Sequence, residues 1–234
     1  MKLLSLLALA SLASLAFTSS VQAEKIVLSK NLLNFDSSTK QTFDVINLMP
    51  EKDAYFNIVI NEVLEPSKIS KSPMAVVDDP IASGLLVSPS RSVVKAGEGK
   101  KSVSVLNLNQ NLNKERVYRI DVSPVISGLK EVSKAQVKVL VGYDVLVHLQ
   151  PANAKIQYQK GKKDGRLTLT NTGNSHFIAT NGMACVDGTD ECIKFPEWYV
   201  YPGITMTVPE HDERYNKVSY RLIMPNKPFK NVNF

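Results

Sequence analysis

The run from Ala135 to Pro151, AQVKVLVGYDVLVHLQP, constrains the fold of this chain more than any other stretch. Val137, Val139, Val141, Tyr143, Val145, Val147 and Leu149 alternate with Lys138, Leu140, Gly142, Asp144, Leu146 and His148. Strand side chains point to opposite faces in turn, so this is a period-2 pattern held over about 13 residues, roughly twice the usual strand length. One face is almost purely β-branched or aromatic. Such a strand outruns its partners inside one small sandwich, so its first part is expected to overhang or form an edge. Exposed apolar edges invite aggregation. A chain that keeps one is expected to use it, and strand addition to another chain is the use that fits.

The N-terminus, MKLLSLLALASLASLAFTSSVQA, carries one lysine, a Leu/Ala-rich stretch and a small-x-small ending. It reads as a secretory signal, residues 1–23, cleaved after Ala23. The apolar part is too short and serine-interrupted for a membrane span. The expected product is an exported protein of about 210 residues, enough for two domains of about 100. The net charge of +6 is spread along the chain, without a run of five basic residues. That excludes a nucleic-acid stripe with interleaved aromatics and suits an acidic protein partner.

Cys185 and Cys192 flank VDGTDE, whose Asp-Gly step is a hairpin turn signal. In an oxidising compartment the two are expected to pair across that hairpin, for about 2 kcal/mol by loop entropy. A reactive dithiol is the alternative reading, but it needs closer spacing and an activating environment.

Short alternating segments follow one another: 24–28, 41–48, 54–64, 84–87, 91–94, 101–108 and 116–125, punctuated by Gly and Pro. None shows sustained helical periodicity. Residues 67–80 read as a loop. After Pro151 come shorter strands at 155–159, 165–171, 175–180, the cysteine hairpin, 199–200, 205–208 and 218–224. The chain is therefore expected to be all-β, with two Ig-like sandwiches in tandem: 24–150 carrying the long strand, and 151–234 carrying the disulfide.

No catalytic arrangement is evident. His148, His176 and His211 have no His, Cys or paired carboxylate at metal-ligand spacing, and there is no GxSxG, HExxH or phosphate-cradling glycine loop. The expectation is a non-enzyme with no catalytic residue, metal or cofactor.

The stretches GLLVSPSRSVVKAGEGKKSVSVLNLN, NKERVYRIDVSPV and GRLTLTNTGNSHFIATNGMACVDGTDECIKFPEWYVYPG resemble the periplasmic chaperones of chaperone–usher pili. They are most similar to the alternate class that assembles common-pilus and colonisation-factor-type fimbriae. The resemblance implies a boomerang-like pair of domains. It also implies a chaperone that lends its long strand to an incomplete pilus subunit and passes that subunit to an outer-membrane usher. Carried to this chain, the lent residues are Val137, Val139 and Val141, with Tyr143 as a fourth, while Val145 and Val147 belong to the core.

The best-known branch of that family anchors the subunit's C-terminal carboxylate with two basic residues, where alignment places Leu32 and Leu146 here. Leucine cannot bind a carboxylate, so Arg119 is the candidate anchor: its strand alternation takes it off the core face, and a guanidinium can grip a carboxylate with two bonds. Lys30 is a second candidate. Arg91 is read as structural, paired with Glu115, and Trp198 and Tyr199 as packing beside the disulfide. Self-association of the unliganded chain, to hide its valine edge, is a further expectation. The alternative function is an exported Ig-like adhesin or structural pilus component.

Overall fold

In a computed structural model, residues 26–36, 38–66, 72–109, 111–125 and 140–234 are described. They form two β-sandwiches in tandem. The first comprises β1 (Ile26–Leu28), β2 (Leu32–Phe35), β3 (Lys40–Asn47), β4 (Ala54–Val63), β5 (Met74–Val76), α1 (Pro80–Ser83), β6 (Leu85–Ser88), β7 (Arg91–Val94), β8 (Lys100–Asn107), β9 (Arg116–Val125) and β10 (Tyr143–Leu149). The second comprises β11 (Tyr158–Lys163), β12 (Arg166–Asn171), β13 (Phe177–Cys185), β14 (Cys192–Lys194), β15 (Trp198–Val200), β16 (Thr205–Thr207), β17 (Lys217–Ile223) and β18 (Lys230–Asn233).

In the first sandwich a sheet ordered β1-β3-β8-β6 faces one ordered β2-β10-β9-β4-β5, with β7 also paired to β4. Period-2 alternation sends Phe43 and Val45, Phe56 and Ile58, Val103 and Val105, Ile120 and Val122, and Val145 and Val147 into one core. Burying each side chain of this size stabilises the fold by about 1.5–3 kcal/mol. The segment 67–80, expected as loop, holds the edge strand β5 among its described residues, and the single turn α1 begins at its end. Local chemistry accounts for the turn: Asp79 accepts from the Ile81 and Ala82 amides, Pro80 opens the helix, and Gly84 closes it at φ 76°.

In the second sandwich β11-β12-β16 packs against β14-β13-β17-β18, with β15 on β13. Cys185 and Cys192 stand opposite each other on β13 and β14 and are disulfide-bonded. The Leu-Thr-Asn-Thr-Gly-Asn motif is structural. The fully buried Asn171 side chain donates to the Ser175 and Val200 carbonyls and accepts from the Gly173 amide. A Cβ on Gly173 would lie 2.6 Å from the Lys155 carbonyl oxygen, so only glycine fits there.

Two pairings differ from expectation. Arg91 donates from Nε to Asn57 Oδ1 (3.0 Å), its cross-strand partner on β4, while Glu115 bonds to His176 instead. Trp198 and Tyr199 pair with Ala179 and Ile178, at the far end of β13 from the disulfide, and both are substantially exposed.

Candidate functional site

The outward face of the larger first-sandwich sheet can be read in rungs. One rung aligns Asn61 on β4, Arg119 on β9, Leu146 on β10 and Leu32 on β2. The two leucines are thus cross-strand neighbours, and Arg119 stands immediately beside them. Arg119 Nε lies 3.1 Å from Asp144 Oδ2. Neighbouring Arg116 is already gripped by both oxygens of Glu62, at 2.7 and 2.6 Å. Lys30 lies exposed in the turn between β1 and β2, where its charge acts on Asp44 of the other sheet.

One rung further along, Asp121 and Asp144 oppose each other across β9 and β10, with Val59 beside them on β4. Asn61 Nδ2 donates to Asp121 Oδ2 at 2.7 Å. Burial, followed by the Asp144 carboxylate, pushes the Asp121 carboxyl up to about 6. These side chains, with Ser123, Gly142 and Tyr143, line a shallow depression of about 450 Å³.

The opposite, core-facing side of β10 changes along its length. Val145 and Val147 are fully buried and Tyr143 packs partly against the core, but Val141 is 49% exposed, as is its neighbour Leu140 at 42%. Strand β2 pairs only with Leu146–Leu149. Among the described residues, Tyr143–Val145 therefore have no strand on that side. Val137 and Val139 lie outside the described residues.

In the other direction along the strands, the outward face that carries Arg119 and Leu146 runs into the second sandwich. The rung of Val63, Val117, His148 and Asn34 is covered by Tyr201, which clusters with Val63 and Val117. His148 Nδ1 donates to Asn34 Oδ1 (2.8 Å), which leaves Nε2 to accept from the Tyr201 hydroxyl (3.0 Å). Burial holds the His148 pKa well below its usual value, in keeping with the neutral ring that this bonding requires. The His176 ring sits 4.3 Å from it, centroid to centroid. Glu115 Oε1 accepts from His176 Nδ1 (2.6 Å), and its Oε2 accepts from the His176 amide (2.5 Å) and Ser175 Oγ (3.3 Å). The Glu115 amide donates in turn to the Asn174 carbonyl.

Ligand atoms of Glu115, His148 and His176 lie within 4.8 Å of one another, as a metal site would need. Each residue is nonetheless engaged in protein hydrogen bonds, so the cluster is a buried polar joint between the sandwiches. Sequence reasoning missed it because its members lie far apart in the chain and meet only when the sandwiches dock.

A family model described as the CS5 fimbrial protein N-terminal domain matches residues 29–149, more than half of the chain. The chain belongs to that family. No curated protein matches it in sequence. Among solved structures, the class 5 fimbriae chaperone CfaA is 16% identical with a TM-score of 0.69, covering 89% of this chain and 98% of that one. A chaperone–tip adhesin complex of CFA/I fimbriae biogenesis gives 16% identity and a TM-score of 0.68 over the same shares. The CsuC–CsuE chaperone–tip adhesion subunit complex, from archaic chaperone–usher Csu pili of Acinetobacter baumannii, gives 14% and 0.53, covering 89% and 97%. The chain has the two-sandwich fold of pilus chaperones. Among its described residues no helix is long and apolar enough to cross a membrane.

Proposed function

We propose that this chain is a periplasmic chaperone of a chaperone–usher pathway. It binds incomplete Ig-like pilus subunits, completes their fold by lending residues 137–141, and delivers them to an outer-membrane usher. The observation that carries the reading is the apolar alternation leading into β10, sealed at Val145 and Val147 and uncovered at Val141, beside a strand edge that has no partner among the described residues. A subunit groove that took Val137, Val139 and Val141 would gain about 1.5 kcal/mol or more from each, and strand pairing adds directional hydrogen bonds. Arg119, one strand from the leucine pair, is positioned to take the subunit's terminal carboxylate. In this role the chain performs no bond chemistry.

The test is co-expression with a fimbrial subunit encoded alongside the chain. Val139→Asp is expected to abolish recovery of the soluble complex while the chaperone stays folded; undiminished recovery overturns the assignment. The family's description as a fimbrial protein favours a second reading, a structural pilus component. Sheared fibres separate the two, since a chaperone is absent from them.

A further inference from the structure

The Asp121–Asp144 pair is unexplained by strand packing. Like charges directly opposed across an antiparallel pair are destabilising, yet here they sit on the rung next to Arg119. Among the described residues, Asp144 Oδ1 is a buried oxygen with no hydrogen-bond donor, although Asp144 Oδ2 meets Arg119 Nε. An acceptor buried without a donor, facing a second carboxyl, is resolved by one proton held between the two.

We propose that Asp121 and Asp144 share a proton, and that retention of this proton is what lets Arg119 accept the anionic end of a subunit, so that capture is linked to proton uptake. The inference rests on the proposed binding function and concerns the regulation of that face.

The electrostatics follow from the groups present. From β9, Arg119 and Ser123 face the pair; from β10, Asp144 faces Asp121 between Gly142 and Leu146; from β4, Val59 and Asn61 do, neither of them titratable. Among the described residues Arg119 is the cation of the group. With one proton shared, Arg119 and the pair sum to zero charge, and an incoming carboxylate meets a guanidinium balanced by one anion. With both carboxyls ionised the sum is −1 and the incoming carboxylate is repelled. Asp121 is displaced upward to about 6, so this change falls in the range to which a periplasm is exposed. An arriving anion raises the pair's proton affinity further, and the complex takes up a proton that the free chain has released. Asn61 fits the scheme: its amide donates to Asp121 Oδ2 and leaves the other oxygen to carry the proton.

Two measurements test this. Carboxyl-carbon NMR of the free chain, from pH 3 to 8, is expected to show one Asp titrating near 6 and losing that behaviour in Asp144→Asn. Both carboxyls titrating near 4 overturns the proposal. Affinity for the co-expressed fimbrial subunit is then measured at pH 6, 7 and 8. It is expected to weaken by up to about tenfold per pH unit above the shared titration. Asp121→Asn should flatten that slope and bind more tightly than the parent at pH 8; an unchanged slope overturns the proposal. Arg119→Ala separates the two readings. If it abolishes capture while Asp121→Asn leaves the slope intact, the anchor stands and proton linkage falls. If capture ignores Arg119, the anchor reading fails and takes the linkage with it, whatever the NMR titration.

Discussion

Glu115 is the residue whose removal the structure prices most clearly. Its carboxylate receives three donors from the second sandwich: the His176 amide at 2.5 Å, His176 Nδ1 at 2.6 Å and Ser175 Oγ at 3.3 Å. All of these residues are buried, so truncation leaves donors that water cannot reach. A hydrogen bond to a charged group contributes about 1.5–3 kcal/mol, and an orphaned buried donor costs a comparable amount. Counting the two short bonds fully and the long one weakly, Glu115→Ala should cost about 3–5 kcal/mol, the range found when a buried pair loses one member. Glu115→Gln keeps one acceptor oxygen and should lose about half as much. Urea unfolding at pH 7.5, followed by Trp198 fluorescence, reads the second sandwich at the joint. Amide exchange at His176 reads the joint itself. A loss below about 1 kcal/mol for Glu115→Ala, with His176 still protected, would refute the claim that this carboxylate holds the sandwiches together.

Other perturbations have equally definite outcomes. His148 has a depressed folded-state pKa, so the unfolded chain binds the extra proton; stability should fall as pH drops below about 6.5, by about 1.4 kcal/mol per unit for that proton, and His148→Gln should remove this contribution from an acid titration. Asp121 has a raised one, which gives the opposite sign: its contribution is present in acid and lost as pH rises towards 6, so Asp121→Asn should stabilise the chain at pH 7.5 by about 1 kcal/mol after allowance for its partial exposure. The Cys185→Ser, Cys192→Ser double variant should lose about 2 kcal/mol by loop entropy, read as a lower Tm that reductant no longer shifts. Arg119→Ala should abolish capture of a fimbrial subunit and lower the chain's Tm only slightly, since its ion pair with Asp144 is partly exposed.

Much of the architecture was legible because strand alternation and turn residues are local. The cysteine hairpin followed from an Asp-Gly step between two cysteines; period-2 patterning put Val145 and Val147 on the apolar face, and the resemblance to pilus chaperones assigned them to the core. Alignment on Phe35-Asp36 and Pro151 brought Leu32 and Leu146 to equivalent points, and the parallel register of β2 on β10 makes them neighbours. What was not legible depends on distant packing. Glu115, His148, His176 and Tyr201 belong to four separate stretches, and nothing local to any of them announces the joint. Arg91 pairs with an amide rather than the expected carboxylate of Glu115 because charge suggests partners, whereas strand register delivers them; β7 pairs with β4 and puts Arg91 beside Asn57. Helix α1 had its signals in sequence, Asp79 before it, Pro80 at its first position and Gly84 after, but a single turn is too short to show periodicity.

Strand lending is tested most directly by amide exchange in residues 137–142, compared between the free chain and its complex with a fimbrial subunit. The account predicts strong new protection there, alternating with the strand's hydrogen-bonding pattern, and its loss in Val139→Asp. A subunit complex whose new protection falls elsewhere, with 137–142 exchanging as in the free chain, would contradict it.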